Sequence, residues 1–158
     1  MPTSTRHRAL VHSSAPDLER LARRYALNPN LGVLLPDEGE RTWARLADHD
    51  GAEVWLISWP EGGETGWHDH DGSLGSFAVA SGAVVEQTWG GGRVHARRLV
   101  DGESRAFGES HVHNVRGAAA GRSLTVHAYA PRLTTTTSHE LAADGPRAVS
   151  ATHEGADW

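Results

Sequence analysis

The first part of the chain carries apolar residues at helical spacing. Between Leu18 and Tyr25, apolar and charged residues fall on opposite faces of a helix. Ser14 precedes this segment as a capping residue, and Pro29 follows it as a helix breaker. The pattern therefore predicts one amphipathic helix, followed by a weaker helical or irregular segment around residues 31–35.

From Trp43 onward the pattern changes to short runs rich in β-branched and aromatic residues, separated by glycine clusters. These runs cover Val54 to Trp59, Ser76 to Ala80, Ala83 to Trp89, Val94 to Val100, Val112 to Arg116 and Ser123 to Tyr129. The run over residues 133–137 is a candidate for one last strand. Short strands without intervening helices predict an all-β sandwich or barrel, and a jelly-roll barrel is one way to manage exposed sheet edges.

The chain has 158 residues, which suits a single domain with a real core. We divide it into an N-terminal helical segment that packs on the barrel (1–42), the barrel itself (43–141) and a tail (142–158). The tail is rich in Ala, Gly, Asp and Ser, so we expect it to be loosely ordered. The first dozen residues are expected to fray.

The composition narrows the partners and the chemistry. A formal net charge of −5 and the lack of a dense Lys/Arg stripe argue against nucleic acid or an anionic membrane as the main partner. No stretch approaches the roughly 20 apolar residues that cross a bilayer, and a cytoplasmic protein is predicted. The chain has no cysteine, so any metal site must use histidine, carboxylates or water.

The sharpest chemical feature among the 11 histidines is the sequence Trp67-His68-Asp69-His70. Residues two apart on a strand point to the same face, so His68 and His70 can bind one ion at about 2.0–2.2 Å. A lone surface histidine is more often solvated. We therefore interpret this pair, and not the scattered histidines, as the start of a metal site.

Alternation also separates two faces of the predicted strand from Ser123 to Tyr129. Thr125, His127 and Tyr129 point one way, and the apolar residues between them point the other way. This polar triplet has two readings. It is either a hydrogen-bonded network that fills a barrel interior, or part of a functional site.

The glycines around the histidine pair extend the pattern. Gly62, His68, His70 and Gly82 follow the spacing of the first cupin motif, with Gly75 where that motif usually carries a glutamate ligand. Downstream, the segment from Gly102 to Gly117 is similar to the second cupin motif. This resemblance implies a cupin jelly-roll barrel and a third metal ligand at His113, with His111 as the rival that the spacing disfavours.

The chain also resembles the cysteine dioxygenase family of thiol dioxygenases, from about residue 43 to residue 133. The segments that carry this likeness are Trp59 to His70 and Leu124 to Pro131. The resemblance implies Fe(II) held by three neutral histidines without a carboxylate, which accounts for the missing glutamate. Some members join a cysteine to the active-site tyrosine, but Gly75 stands at that position, so Tyr129 is expected to be an ordinary phenol.

The same resemblance implies a function. A small thiol carboxylate, such as cysteine or a mercapto acid, would be oxidised with O2 to a sulfinic acid, with Tyr129 acting beside the iron and oriented by His127 and Thr125. The family binds the substrate carboxylate through an arginine, for which Arg45 is our candidate. Arg41 and Arg132 are the substitutes.

Two other functions stay open at this point. One is a metal-binding cupin of different chemistry, and the other is a non-catalytic cupin that binds a small ligand. The sequence leaves the thiol and the oligomeric state undetermined.

Overall fold

The computed structural model describes residues 14–37, 39–49 and 51–153. This part of the chain forms two helices and eleven strands. Their bounds are α1 Ala15–Ala26, α2 Leu31–Leu34, β1 Thr42–His49, β2 Ala52–Trp59, β3 Trp67–Asp69, β4 Leu74–Ser81, β5 Ala83–Gly90, β6 Arg93–Val100, β7 Ser104–Phe107, β8 His113–Gly117, β9 Ser123–Ala130, β10 Thr135–Ala142 and β11 Gly145–His153.

The strands form two antiparallel sheets that face each other. Sheet A has the order β1-β2-β9-β4-β7, and sheet B has the order β11-β10-β3-β8-β5-β6. Consecutive strands alternate between the sheets at several points, as a jelly-roll barrel requires. The predicted all-β barrel is confirmed, and the six predicted runs correspond to β2, β4, β5, β6, β8 and β9.

Helix α1 begins where the sequence predicts it. The backbone N–H of Asp17 donates to the Ser14 hydroxyl, and the Asp17 carboxylate in turn accepts from the Ser14 backbone N–H. Leu18 and Ala22 are fully buried against the outer face of sheet A. The predicted helix is therefore confirmed, and α1 lies against sheet A. The expected fraying of the first dozen residues lies outside the described residues.

A second core lies between the two sheets. Trp59 and Phe77 of sheet A meet Leu99 and Val115 of sheet B there, and all four side chains are buried. This inner core fills the space between the two sheets and extends to rings that contact His70.

The tail differs from the prediction. Residues 145–153 form strand β11, which pairs along its whole length with β10, so the expectation of loose order is wrong for this segment. A strand at the edge of a sheet forms backbone hydrogen bonds with one neighbouring strand and buries little apolar surface. Polar and small residues can therefore form such a strand. Neither helix in the described part of the chain is long and apolar enough to cross a membrane.

Candidate metal centre

Three histidines meet inside the barrel at strands β3 and β8. His68 lies in β3 directly opposite His113 of β8, and His70 follows β3 by one residue. Their ring centroids are 4.7–5.1 Å apart. One ring nitrogen from each histidine lies within 4.8 Å of the others, and all three side chains are buried. The structure therefore brings together the three residues that the sequence singled out.

Hydrogen bonds select which nitrogen of two of these rings faces the centre. Nδ1 of His68 lies 3.0 Å from the carbonyl oxygen of Gly66, and Nδ1 of His113 lies 2.9 Å from Oε1 of Glu86. Because both partners are acceptors, each Nδ1 carries the proton and each Nε2 keeps its lone pair. Burial lowers the pKa of both imidazoles, which keeps them in the neutral form that binds a metal ion.

His70 provides the test of whether a metal ion fits. Both of its ring nitrogens are buried, and neither has a hydrogen-bond partner among the described residues. Burial also holds the pKa of His70 well below its usual range. A buried polar atom without a partner is costly, and a metal ion bound at this nitrogen removes part of that cost. The residues present therefore fit a metal ion.

Two aromatic rings hold His70 in place of a hydrogen bond. Its ring stacks on Phe107, with 5.2 Å between centroids and 26° between planes, and tilts against Tyr129 at 4.9 Å. These contacts fix the ring plane by packing alone.

Gly75 lies beside the same aromatic rings. A Cβ atom at this residue would lie 2.1 Å from the Phe107 ring and 3.0 Å from Tyr129. Any larger side chain meets the same ring, so a glutamate ligand or a cysteine crosslink cannot occupy this position while Phe107 stays in place. The structure thereby explains the absence of a carboxylate from the histidine set.

A second group of side chains that could hold a metal ion shares His113. It consists of Glu86, His111 and His113. In this second group the candidate ligand atoms already form hydrogen bonds with one another. Nε2 of His111 and Nδ1 of His113 both donate to Oε1 of Glu86, at 2.8 Å and 2.9 Å. His111 therefore contacts the carboxylate, whereas His113 has a free nitrogen for the centre. Of the two rivals, only His113 lies in the group with His68 and His70.

The polar face of β9 forms a connected chain of hydrogen bonds. Nε1 of Trp59 donates to Oγ1 of Thr125 at 2.8 Å, and Oγ1 of Thr125 lies 2.8 Å from Nε2 of His127. Nδ1 of His127 lies 3.1 Å from Oη of Tyr129. Burial lowers the pKa of His127 to about 3 and raises that of Tyr129 above its ordinary value, although the charge of Arg41 opposes the second shift. Both groups are therefore neutral near pH 7.

Indole is only a donor, so Thr125 accepts from Trp59. One arrangement that satisfies every atom of this chain sends the Thr125 proton to Nε2 of His127. The neutral His127 then carries its proton on Nδ1 and donates to the Tyr129 oxygen. In this arrangement the hydroxyl proton of Tyr129 is left to point away from His127.

The three candidate arginines lie in different places. Arg45 is exposed on β1 opposite Trp55, and no hydrogen bond or ion pair links it to another described residue. Arg132 forms an exposed ion pair with Asp48. The structure brings neither of them to the histidines.

Of the three candidate arginines, Arg41 is the one whose charge acts on the site. Its guanidinium carbon lies 5.0 Å from the ring centroid of Trp43 and 5.7 Å from that of Trp59. Its charge acts on His68, His127 and Tyr129, lowering the pKa of each.

The structure adds two residues that the sequence reasoning missed, Glu86 and Phe107. The signal for Glu86 was present, because it stands two residues after Val84 in a strand and therefore shares the inward face of that apolar residue. Phe107 gave no comparable signal. Its role depends on the pairing of Gly75 with both Phe107 and Tyr129, which only the sheet arrangement decides.

Comparison with known proteins agrees with this geometry. Residues 17–141 match the family described as cysteine dioxygenase type I. The chain belongs to this family. None of the curated proteins with which it was compared matches it.

Solved structures show the fold of this cysteine dioxygenase family member. An uncharacterized Klebsiella pneumoniae protein with a double-stranded beta-helix domain is 16% identical, with a TM-score of 0.53 over 77% of this chain and 90% of that one. A cupin superfamily protein from Desulfitobacterium hafniense is 16% identical, with a TM-score of 0.54 over 66% and 89%. A Thermus thermophilus protein is 20% identical, with a TM-score of 0.57 over 67% and 98%. These likenesses establish a cupin barrel.

Proposed function

We propose that this protein is a non-haem Fe(II) dioxygenase that oxidises a small thiol carboxylate to its sulfinic acid. The family match over residues 17–141 supports a dioxygenase-like oxidoreductase. The observation that carries the finer proposal is the set of three buried, neutral histidines, His68, His70 and His113, with Phe107 filling the space of a fourth protein ligand.

Charge explains why such a site favours a thiol. Three neutral imidazoles leave the full double positive charge of a divalent ion uncompensated, which favours an anionic ligand from the substrate. Bound Fe(II) would supply the Lewis acidity that deprotonates a thiol and the electrons that activate dioxygen. The overall reaction balances without another reductant, because RSH and O2 together contain all the atoms of RSO2H.

Arg41 is the proposed anchor for the substrate carboxylate, in place of Arg45. Its guanidinium lies against Trp43 and Trp59, and its charge reaches Tyr129 and His68. A planar guanidinium can bind a carboxylate with two parallel hydrogen bonds, and stacking on the indoles fixes its plane. In this proposal the substrate carboxylate is bound beside the histidines.

Tyr129 is the proposed hydrogen-bond donor to the reacting groups. Its phenol stays protonated because burial raises its pKa, and its ring contacts His70 at 4.9 Å between centroids. In the chain from Trp59 through Thr125 and His127, the Tyr129 oxygen accepts from His127, so the phenol keeps its own proton. A cytoplasmic location stays a prediction from the sequence.

Oxygen-uptake measurements test this proposal directly. The protein is loaded with Fe(II) without oxygen and then mixed with oxygen and one of several small thiols, including cysteine, 3-mercaptopropionate and cysteamine. We expect one O2 consumed per thiol, a sulfinic acid detected by mass spectrometry, and much weaker turnover of cysteamine, which lacks a carboxylate. Retention of iron without oxygen uptake for any of these thiols would contradict the proposal and favour a non-catalytic cupin.

A further inference from the structure

One buried carboxylate lies against a proposed metal ligand. Glu86 of β5 is 2% exposed, and its Oε1 accepts hydrogen bonds from His113 and His111 at 2.9 Å and 2.8 Å. Its Oε2 lies 2.7 Å from Nε of Arg105, an ion pair that lies off the line of a hydrogen bond. Both carboxylate oxygens therefore have a partner.

The contacts of Glu86 suit an ionised carboxylate. Two imidazole N–H groups donate to Oε1 and the Arg105 cation lies beside Oε2, so each oxygen has a partner that favours the charged form. A buried negative charge is expensive unless it is paired. Here the pairing includes a ring that faces the histidine cluster.

Glu53 provides an internal contrast. It is also a buried glutamate, 5% exposed, and it accepts a hydrogen bond from Nε1 of Trp55 at 2.8 Å. No hydrogen bond or ion pair joins Glu53 to a histidine within the described residues. The two glutamates therefore differ in whether they accept a hydrogen bond from a proposed metal ligand.

We propose that Glu86 is the positioning residue for His113. In this role Glu86 supplies a negative charge beside the imidazole ring of His113, whereas a carboxylate ligand cannot occupy the position of Gly75. A carboxylate that accepts from Nδ1–H fixes the imidazole tautomer and ring orientation, and it raises the electron density on Nε2. The inference rests on the metal site of the proposed function, and it does not depend on which substrate is oxidised.

The neighbours of Glu86 keep the carboxylate in place. The ring of His111 stacks on Phe107 with 4.6 Å between centroids and 19° between planes, so its Nε2 is held toward Oε1. Arg105 holds the second oxygen. Phe107 also stacks on His70, so this one side chain packs against both His70 and His111.

Metal affinity of two glutamine variants tests this proposal. Glu86→Gln removes the charge beside His113, and Glu53→Gln is the matched control of equal size change. We expect Glu86→Gln to bind Fe(II) and Zn(II) about 10–100-fold more weakly in chelator competition, and Glu53→Gln to bind them as the wild type does. Thermal unfolding of the metal-free proteins shows whether each variant folds. Wild-type affinity in a folded Glu86→Gln would overturn the proposal.

A second measurement needs no substitution and decides the matter even if Glu86→Gln does not fold. In the zinc-loaded wild type, histidine nitrogen NMR identifies which nitrogen of His113 carries the proton. We expect the proton on Nδ1, with its resonance far downfield as for a hydrogen bond to a carboxylate, and zinc on Nε2. Zinc on Nδ1 would leave no N–H to donate a hydrogen bond to Glu86, which would contradict the proposal.

The two proposals fail in different ways. If the wild type consumes no oxygen with any thiol while Glu86→Gln still loses metal affinity, the thiol dioxygenase proposal fails and the role of Glu86 stands. If thiol oxidation is observed and Glu86→Gln binds metal as the wild type does, the thiol dioxygenase proposal stands and the role of Glu86 fails.

Discussion

The two faces of strand β9 are equally buried but chemically opposite. Every residue from Ser123 to Ala130 is buried. On the outer face, Val126 and Ala128 pack against helix α1 in an apolar cluster. On the inner face, Thr125, His127 and Tyr129 form the hydrogen-bonded chain beside the histidines. One strand thus serves both the stability of the barrel and its site.

The contrast separates what holds the barrel together from what the barrel does. Apolar area removed from water on the outer face contributes stability without chemical function. The inner face can contain polar groups because each donor meets an acceptor, and that requirement fixes tautomers and directions. We therefore expect substitutions on one face to leave the property carried by the other face largely intact.

The largest effect is expected from removing a proposed metal ligand. His70→Ala should abolish iron retention and reduce thiol oxidation to background, because two imidazoles are too few to hold the ion. Metal content after gel filtration and oxygen uptake measure both effects. His95→Ala is the control, since this histidine is exposed in the β5–β6 hairpin and lies 2.9 Å from the carbonyl oxygen of Gly90, away from the site. Activity in His70→Ala would show that the ligand assignment is wrong.

Shortening a side chain of α1 that packs on the outer face of sheet A should lower the stability of the protein without changing its metal affinity. Leu18 is 1% exposed, so Leu18→Ala should lower the free energy of unfolding by about 2–5 kcal/mol. Urea unfolding measures this loss, and Leu27→Ala, at a residue that is 83% exposed, should change stability by less than about 0.5 kcal/mol. Metal affinity should stay at the wild-type value in both variants. A parallel loss of metal affinity in Leu18→Ala would contradict the separation of the two faces.

The inner face is tested by Tyr129→Phe, which removes one oxygen and keeps the ring. We expect kcat for thiol oxidation to fall about 10–100-fold, because the donor beside the site is lost. Metal content should not change, since the tilted ring contact with His70 remains. Steady-state kinetics and metal analysis together check this prediction. Equal kcat values would remove Tyr129 from the proposed chemistry.

A pH series examines the cost of burying a neutral histidine on the inner face. Folding lowers the pKa of His127 from 6.5 to about 3, so between these values the unfolded chain binds a proton that the native state does not. Stability should therefore rise with pH in this window and fall on acidification, with His127 contributing about 1.4 kcal/mol per pH unit.

His127→Asn isolates this contribution in the metal-free protein. Between about pH 4 and pH 6, the free energy of unfolding of His127→Asn should depend on pH less steeply than that of the wild type. The two slopes should differ by the contribution of one bound proton. Other buried histidines act in both proteins and cancel in the difference. Parallel curves would mean that His127 does not titrate as its burial implies.

The smallest effect is expected at the cap of α1. Ser14→Ala removes the side-chain acceptor for the Asp17 N–H and should lower the free energy of unfolding by about 1 kcal/mol. Ser14→Asp, which keeps an acceptor, is the control and should restore most of the loss. Thermal unfolding measures both. A loss of metal affinity without a loss of stability would again break the separation of the faces.

Several elements of the fold and the site could be predicted because their causes are local. The spacing of two residues between His68 and His70, the alternation along β9 and the cap of α1 are all properties of contiguous segments. The tail was predicted badly for the opposite reason. Strand β11 exists because β10 offers it a partner, and its own composition carries little sign of that.

The choice of arginine shows the same limit. Arg41 and Arg45 are four residues apart, so alternation alone gives both the same face, but Arg41 precedes β1 and Arg45 lies within it. Sequence pattern does not place the start of a strand to that precision, so it could not tell which arginine acts on the site. The stacking of Arg41 on Trp43 and Trp59 depends on where β1 and β2 meet.

The sequence by itself determined the barrel class, the histidine pair on β3, the polar face of β9 and the family, because each is written in residue order and spacing. Only the tertiary structure decided that His113 and not His111 faces His68 and His70, that Phe107 covers Gly75, and that Glu86 lies under His113. Those contacts join strands distant in sequence, and their distances are set by the pairing of strands and the closure of two sheets.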